Sequence, residues 1–361
     1  MRYDRGALME YCVRALCSVS ASTAEAETIA RVLTNADERG VHSHGVVRVE
    51  GYAACLRSGG IKGNVKHRIV SEGASFALID ACGGLGIPVS VEAEELAVQK
   101  AKQTGIGIVN VRGSHHHGAC GYYSIHSAKQ GLIGLAMSTG DIIMAATGAA
   151  EDSIGNNPFS YALPAGKFGV ICYDIAMSTV AMGKVAMAAD EGRSIPLGWM
   201  LDSLGNPTTD PWSYANGGTM VPFGGYKGYG LSMMVESLAG ILSGAALLKD
   251  IHAWNKDPER NGNVGHCFIA IDPSHINPDV EIPERAEEMI EQLRAHRRAP
   301  GVDHIYFPGE IEQDKEKDAQ ANGIPLPPAS EHALERCAEI TDVPFDRNTM
   351  LRQSKPSRGE V

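Results

Sequence analysis

Three consecutive histidines, His115–His117, are the side chains of this chain that most directly suggest chemistry. An imidazole with an ordinary pKa of about 6.5 exchanges a proton near neutral pH. The three residues follow a β-branched run at 105–111 and precede a segment with helical spacing at 122–129. This pattern predicts a strand, a glycine-rich turn and a helix, with the histidines at the edge of a sheet beside a helix N-terminus. The alternative is a run of surface histidines on a loop.

Two further groups of side chains have the chemistry of anion binding. His44 and Arg48 are four residues apart in a predicted helix that Ser43 caps, so both would project from one face. An imidazole and a guanidinium side by side can bind a carboxylate. Residues 224–230 place Lys227 among glycines before a long apolar helix, which suits an anion. The alternatives are a surface pair on a helix and an exposed lysine in a turn.

The elements that must position these groups are helices alternating with short apolar strands, which predicts an α/β protein. Ser22 and Glu25 form a capping-box pattern at the start of the second helix. Predicted helices span 4–19, 23–39, 88–104, 180–192, 283–297 and about 330–340, and predicted strands span 76–80, 105–111, 132–137, 170–178, 265–272 and 305–310. The polar stretch 311–323 predicts a linker, and a disordered tail is predicted from about residue 352.

Composition limits the class of protein. The 361 residues carry a formal net charge of −11, which argues against a nucleic-acid partner. No apolar run approaches the roughly 20 residues that span a bilayer, and the first residues lack the apolar segment of a signal peptide. The eight cysteines contain no Cys-x-x-Cys pair and read as reduced thiols. We therefore expect a cytoplasmic protein without membrane or nucleic-acid partners.

Several well-known motifs are missing from the sequence. No Gly-x-Gly-x-x-Gly follows a predicted strand, so a bound nicotinamide dinucleotide would not lie on a Rossmann turn. No Gly-x-Ser-x-Gly elbow supports a hydrolase triad. There is no His-Glu-x-x-His, and the side chains of adjacent histidines diverge, so we predict no metal site. A metal-dependent hydrolase built on the histidines stays open as an alternative from another class.

A series of sequence blocks in one order resembles the malate/L-lactate/ureidoglycolate dehydrogenase family over about residues 4–340. The blocks include Arg39-Gly40-x-x-Ser43-His44-Gly45-x-x-Arg48, Ser114-x-His116-x-Gly118-x-x-Gly121-Tyr122-Tyr123, Gly155-x-Asn157-Pro158, Asp174-x-Ala176, Gly225-Tyr226-Lys227-Gly228-Tyr229-Gly230 and Pro308-Gly309-Glu310. The resemblance implies an NAD(P)-dependent oxidoreductase acting on the CH–OH group of 2-hydroxyacids. It also implies a non-Rossmann mixed-sheet cofactor domain with a smaller helical domain, in a homodimer.

The resemblance assigns roles to individual residues. His116 matches the catalytic proton acceptor of the family, and Ser43, His44 and Arg48 match its substrate-binding residues. The matching cofactor-binding residues are Gly140, Asp174, Ile175, Ala176, Lys227, Pro308, Gly309 and Glu310. The expected cofactor is NAD or NADP, with NAD the first choice, and the expected partner is a small-molecule carboxylate substrate.

The same resemblance suggests how the chain divides. Residues 1–75 would form an N-terminal helical segment that contributes to the substrate site and packs with residues 320–350. Residues 76–310 would form the cofactor-binding and catalytic α/β domain, and residues 311–361 a linker, a C-terminal helix and a tail.

Departures from the family pattern surround the expected pocket and leave the substrate open. His42 stands where the family usually has aspartate, and His115 and His117 flank the catalytic position where asparagine and phenylalanine are usual. Extra imidazoles there would suit a polar or dianionic substrate. The leading hypothesis is oxidation of an L-2-hydroxyacid, or reduction of its 2-keto acid. The alternatives are reduction of a cyclic imine 2-carboxylate with NADPH and a catalytically inactive dinucleotide-binding protein.

Overall fold

A mixed α/β fold is seen in the computed structural model, which describes residues 1–254 and 256–352. The strands are β1 (Arg2–Tyr3), β2 (Arg68–Glu72), β3 (Phe76–Asp80), β4 (Ile106–Ser114), β5 (Ile133–Ser138), β6 (Ile142–Met144), β7 (Ile154–Gly155), β8 (Phe159–Pro164), β9 (Val170–Ile175), β10 (Met200–Leu201), β11 (Pro207–Thr208), β12 (Thr219–Met220), β13 (Val264–Ile271) and β14 (Ile324–Pro325). The helices are α1 (Arg5–Ser18), α2 (Thr23–Glu38), α3 (Val49–Ser58), α4 (Gly86–Thr104), α5 (Cys120–Lys129), α6 (Met182–Asp190), α7 (Tyr226–Val235), α8 (Pro273–Ile276), α9 (Ile282–Arg294), α10 (Glu310–Asn322), α11 (Pro328–Thr341) and α12 (Arg347–Met350).

The main sheet has seven strands in the order β2-β3-β4-β13-β5-β8-β9. Strands β3 and β4 are parallel, and the other neighbouring pairs are antiparallel. Because β13 runs antiparallel to both β4 and β5, those two strands run in the same direction. Strand β8 is antiparallel to both β5 and β9, so β9 also runs in that direction. The carboxyl ends of β3, β4, β5 and β9 therefore meet at one edge of the sheet.

Apolar residues fill both faces of this sheet. Alternate residues of a strand point to opposite faces, and in β13 Phe268 belongs to the core beneath α4 and α5 while Cys267 belongs to the opposite core. That second core also contains Val235 of α7 and the small five-stranded sheet β11-β10-β12-β6-β7. Because both faces are covered at the centre of the sheet, β4, β5 and β13 are largely apolar runs, which is the pattern that made them predictable from sequence.

The N-terminal helices share a core with the C-terminal part of the chain. Residues 3–61 contribute most of this core, together with Ala319, Leu334, Cys337 and Met350. The capping box at the start of α2 is confirmed, since the Ser22 hydroxyl accepts from the Glu25 amide and the Glu25 carboxylate accepts from the Ser22 amide. Strands β1 and β14 pair antiparallel and tie the two ends of the chain together.

Two predictions for the segment after residue 300 are wrong. Residues 305–310 form no strand, and the polar stretch 311–323 is not a linker, since helix α10 covers most of it. This helix has almost no apolar face, with Ala319 its one buried residue. Ion pairs hold it instead, including one of 2.6 Å between Glu316 and the nearly buried Arg39 of α2. Hydrophobic periodicity cannot reveal a helix that is attached through charges. Most of the predicted tail, from residue 353, lies outside the described residues.

The predicted helix starting at Ser43 is also wrong in its first turns. Residues His42–His44 and Val46–Arg48 form two short 3₁₀ turns, and the α-helix begins only at Val49. Gly45 separates the two turns with an extended backbone, and its Cα packs so closely on Asp37 that a Cβ would lie 2.1 Å from the carboxylate. Residues 140–157 and 195–211 contain four short strands of the small sheet, β6, β7, β10 and β11.

Candidate active site

The predicted catalytic histidine lies where the carboxyl ends of the strands meet. His116 follows β4 by two residues, in the turn that leads into α5. Its Nδ1 is 2.6 Å from the hydroxyl of the fully buried Tyr52 on α3. The indole of Trp254 stacks on its ring at a centroid distance of 4.8 Å and an interplanar angle of 14°. The side chain is therefore held by residues from two other parts of the chain, around Tyr52 and around Trp254.

The predicted substrate-binding residues lie directly beside His116. The His44 ring stacks on it at 5.5 Å, and the Ser43 hydroxyl is 2.9 Å from His44 Nδ1. The Arg48 guanidinium lies 5.7 Å from the centre of the Trp254 ring, and its Nε donates to the Ser43 carbonyl at 2.6 Å. The structure thus brings Ser43, His44, Arg48 and His116 together, although the helix that was expected to align His44 with Arg48 is absent.

A buried carboxylate anchors the segment that carries these residues. Asp37 of α2 accepts hydrogen bonds from the Val46 amide at 2.7 Å and from His42 Nδ1 at 2.8 Å. Burial raises the pKa of Asp37, while the two bonds lower it. The His42 side chain is therefore directed at Asp37.

The electrostatics of the site keep its imidazoles neutral. Burial lowers the pKa of His116 well below its usual 6.5, and the positive charge of Arg48 lowers it further. The same two causes lower the pKa of His44 to about 4. Arg48 is itself largely desolvated, which lowers its pKa. A half-buried guanidinium beside a neutral imidazole is a site for an anion that also has a proton to exchange.

The other two histidines of the triple point into the protein. His117 stacks on His266 at 4.4 Å and on Tyr123 at 5.2 Å, within the core. His115 is 1% exposed and lies edge-on to Trp254. Burial lowers the pKa of both. The interpretation as surface histidines is therefore wrong for His115 and His117.

Four of the predicted cofactor residues line one cleft. It lies between the end of α2, the start of α5 and the end of β9, and it encloses about 820 Å³ including its open mouth. Its walls include Asp174, Ile175, Pro308 and Gly309. Asp174 is open to the cleft, yet the surrounding protein raises the pKa of its carboxyl to about 6 even though the Gly121 amide donates to it at 2.8 Å.

The remaining cofactor residues lie outside the walls of this cleft. Gly140 follows β5 at the same sheet edge, and its amide donates to Asn157 at 3.1 Å. Exposed Lys227 is in the first turn of α7, and the turn before it bonds to the chain just after Ala176 through Phe223.

Glu310 has a structural role rather than an open carboxylate. Its side chain accepts from Arg294, from His304 at 3.0 Å and from the Phe307 amide at 3.2 Å.

No group of three or more His, Cys, Asp or Glu side chains among the described residues has the spacing to hold a metal ion. None of the described helices combines the length and the hydropathy needed to cross a membrane.

Comparison with known proteins decides the family. Residues 4–335 match the family model described as malate/L-lactate dehydrogenase. The chain belongs to this family. It is therefore an oxidoreductase of the dehydrogenase type, and its relatives imply a nicotinamide cofactor.

Relatives within the malate/L-lactate dehydrogenase family carry different names. The malate dehydrogenase of Pyrococcus horikoshii is 39% identical over 86% of this chain and 87% of its own. Its solved structure aligns with a TM-score of 0.86 over 95% of this chain and 96% of that one. The ureidoglycolate dehydrogenase (NAD(+)) of Escherichia coli K12 is 32% identical over 90% and 93%. The Delta(1)-pyrroline-2-carboxylate/Delta(1)-piperideine-2-carboxylate reductase of Pseudomonas syringae is 34% identical over 87% and 89%.

Three side chains at this site escaped the sequence analysis, namely Asp37, Tyr52 and Trp254. Tyr52 comes four residues after Arg48, and this spacing was the one sequence feature that could have indicated that Tyr52 lies at the site. Trp254 is 138 positions from His116, and nothing in its local sequence indicates that the two rings stack.

Proposed function

We propose that this protein transfers a hydride between NAD(P) and the C2 atom of an L-2-hydroxyacid, in either direction, with His116 exchanging the hydroxyl proton. The observation that carries the proposal is the convergence of His116 and Arg48 on the same tryptophan ring. One group has the chemistry to exchange a proton and the other to hold a carboxylate, and a 2-hydroxyacid presents both partners on adjacent carbons.

In oxidation, Arg48 would hold the carboxylate of the substrate and neutral His116 would accept the hydroxyl proton at Nε2. The nicotinamide, when bound, supplies the hydride acceptor. In reduction, protonated His116 would give the proton back to the oxygen at C2. A bound carboxylate offsets the charge of Arg48, so it removes one cause of the low pKa of His116 and helps the imidazole to take up its proton. Ser43 would orient His44, whose ring lies beside His116 and would form one wall of the substrate site.

The residues of the cleft fit a dinucleotide. Gly309 has φ +88°, and a Cβ there would be 2.8 Å from the Cys172 carbonyl oxygen, so only glycine fits at this part of the cleft wall. Asp174 offers a carboxylate to hydroxyl groups, while Lys227, near the end of β9, offers a charge to phosphates. We propose that these residues, with Gly140, Ile175, Ala176, Pro308 and the backbone at Glu310, hold NAD or NADP.

We also propose the division of the chain in which residues 1–75 supply the substrate-binding segment and residues 76–310 supply the histidine and the cofactor cleft. Residues 311–361 would then be an accessory segment rather than a linker. The supporting observation is that Arg48 comes from the helical part of the chain while His116 comes from the sheet.

We also propose that the protein is a homodimer and is located in the cytoplasm. Tyr226, Met233, Ile241 and Leu242 are exposed along α7 and the turn after it, although they are large and apolar. Such a surface suits burial against a second copy of the chain. Light scattering during gel filtration would test this, and a monomer at micromolar concentration would refute it.

A second candidate is reduction of a cyclic imine 2-carboxylate with NADPH. The relative from Pseudomonas syringae favours it, and the site suits it because Arg48 would hold the carboxylate while the hydride goes to C=N instead of C=O.

Absorbance at 340 nm tests both candidates together. NADH or NADPH is mixed with pyruvate, oxaloacetate, sulfopyruvate, 2,3-diketogulonate, glyoxylate and a cyclic imine carboxylate. Turnover of a keto acid that depends on His116 supports the proposal. Turnover of the imine alone favours the second candidate, and no turnover despite tight NADH binding contradicts both for these substrates.

A further inference from the structure

Tyr52 contacts the Nδ1 edge of the His116 ring. Its hydroxyl is 2.6 Å from His116 Nδ1 and 3.1 Å from the carbonyl oxygen of the same residue. The side chain is 0% exposed, and burial raises the pKa of the phenol, so the hydroxyl stays protonated. A phenol has one proton and can therefore donate to only one of these two atoms at a time.

Two arrangements of that proton are possible, and they leave His116 in different tautomers. If Tyr52 donates to the carbonyl oxygen, it accepts from Nδ1–H, and Nε2 keeps a free lone pair. If Tyr52 donates to Nδ1, the imidazole proton must be on Nε2, and a neutral His116 then cannot accept a proton there. The Gly118 amide also donates toward Nδ1 from 3.4 Å, a contact that favours the second arrangement but is much longer than the 2.6 Å contact with Tyr52.

We propose that Tyr52 is a positioning residue that keeps the proton of neutral His116 on Nδ1 by accepting from it while donating to the His116 carbonyl. This inference rests on the proposed role of His116 as the proton acceptor. The arrangement uses both short contacts of the hydroxyl. It also needs no rearrangement when Nε2 gains the substrate proton, because the imidazolium still donates from Nδ1 to Tyr52.

In the oxidation, one proton and one hydride leave the substrate. The substrate hydroxyl loses its proton to Nε2 while its C2 hydrogen leaves as hydride to the nicotinamide, and Nδ1–H remains where it was. Tyr52 neither gains nor loses a proton in this step. Its effect is to make the lone pair available and to stabilise the positive charge that forms.

Other charged or titratable groups surround His116 and also affect its pKa. Arg48 and His44 face it from the substrate-binding segment, His115 and His117 flank it on its own turn, and each of the four lowers its pKa. Tyr52 opposes them if it accepts from the imidazolium. If it donates to Nδ1 instead, it stabilises the neutral ring and acts in the same direction as they do.

The sign of a pKa shift therefore tests the proposal. In Tyr52→Phe the ring that packs 5.2 Å from Trp254 remains, and only the hydroxyl is lost. We expect kcat for oxidation to fall about 10- to 100-fold with KM changed little, because the tautomer is no longer fixed. The acid limb of the kcat/KM profile should move to lower pH by about one unit, because the imidazolium loses its acceptor.

A shift of the acid limb to higher pH would show that Tyr52 donates to Nδ1, and an unmoved limb would show a purely structural role; either result overturns the proposal. Tyr11→Phe is the matched control, since Tyr11 is also 0% exposed and donates to the Leu334 carbonyl at 2.8 Å, far from the site. It should leave the pH profile unchanged.

A measurement on the unaltered chain covers the case in which Tyr52→Phe does not fold. Nitrogen-15 spectra of histidine-labelled protein distinguish protonated from unprotonated ring nitrogens, and His116→Ala identifies the His116 signals. The proposal expects a protonated Nδ1 and an unprotonated Nε2 in the resting enzyme, and the reverse pattern overturns it. Full activity of His116→Ala would refute the proposed function itself, whereas a failure of the Tyr52 tests alone leaves that function standing.

Discussion

Replacing Arg48 with lysine should separate the shape of the anion site from its charge. Arg48→Lys keeps the positive charge but loses the planar pair of donors that can meet both oxygens of a carboxylate. It also loses the Nε–H that donates to the Ser43 carbonyl. We expect KM for the hydroxyacid to rise strongly while kcat and the affinity for NADH change by a few-fold at most.

The size of this effect follows from the hydrogen bonds lost. A hydrogen bond to a charged group contributes about 1.5–3 kcal/mol, which corresponds to roughly 10- to 150-fold in KM. The upper end of this range applies where water is excluded, and Arg48 is half-buried against Trp254.

Removing the charge as well should move the pH profile. The guanidinium lowers the pKa of His116, so Arg48→Gln raises that pKa. Oxidation needs neutral His116, and the acid limb of kcat/KM should therefore move to higher pH in Arg48→Gln but stay in place in Arg48→Lys. Steady-state assays at 340 nm across pH 5–9 measure both quantities.

Arg57→Lys is the control for these variants, because Arg57 is on helix α3, which follows Arg48, but pairs with Asp342 at the surface. It should behave like the unaltered chain. A normal KM in Arg48→Lys would show that Arg48 does not hold the carboxylate, and our account of the substrate site would be wrong.

Two further predictions concern the anchor of the substrate segment and the cofactor. Asp37→Ala removes the acceptor for His42 and Val46 and should lower the free energy of unfolding in urea by about 2–4 kcal/mol and raise KM. Asp342→Asn, which breaks an exposed ion pair and keeps a residue type that tolerates the positive φ of this position, should cost less than about 1 kcal/mol, and equal losses would contradict the anchoring role. Lys227→Met should weaken NADH binding about tenfold by fluorescence titration, while exposed Lys249→Met should not; equal affinities would remove Lys227 from the phosphate site.

Local patterns predicted the part of the site that is built from neighbouring residues. The strand, turn and helix around His116 were predictable because β4 and α5 each carry their own apolar periodicity. The helix predicted around Arg48 was wrong, because the close packing of Gly45 on Asp37 breaks the helix there.

Contacts between distant parts of the chain were beyond local patterns. Tyr52 and His116 are 64 positions apart, and only the folded chain shows that a phenol faces Nδ1. Similarly, α10 is attached to the end of α2 through the Arg39–Glu316 ion pair. A helix attached through charges has no hydrophobic pattern in its sequence.

The most direct test of the central claim is a single-turnover measurement with His116→Ala. Enzyme preloaded with NADH is mixed with the keto acid that the unaltered chain turns over, and the loss of absorbance at 340 nm is followed. We predict a rate about 10²- to 10⁴-fold lower than that of the unaltered chain, with the dissociation constant of NADH unchanged. His332→Ala, at an exposed histidine on α11, should match the unaltered rate. A His116→Ala enzyme that turns over at the unaltered rate would contradict the proposal that His116 exchanges the substrate proton.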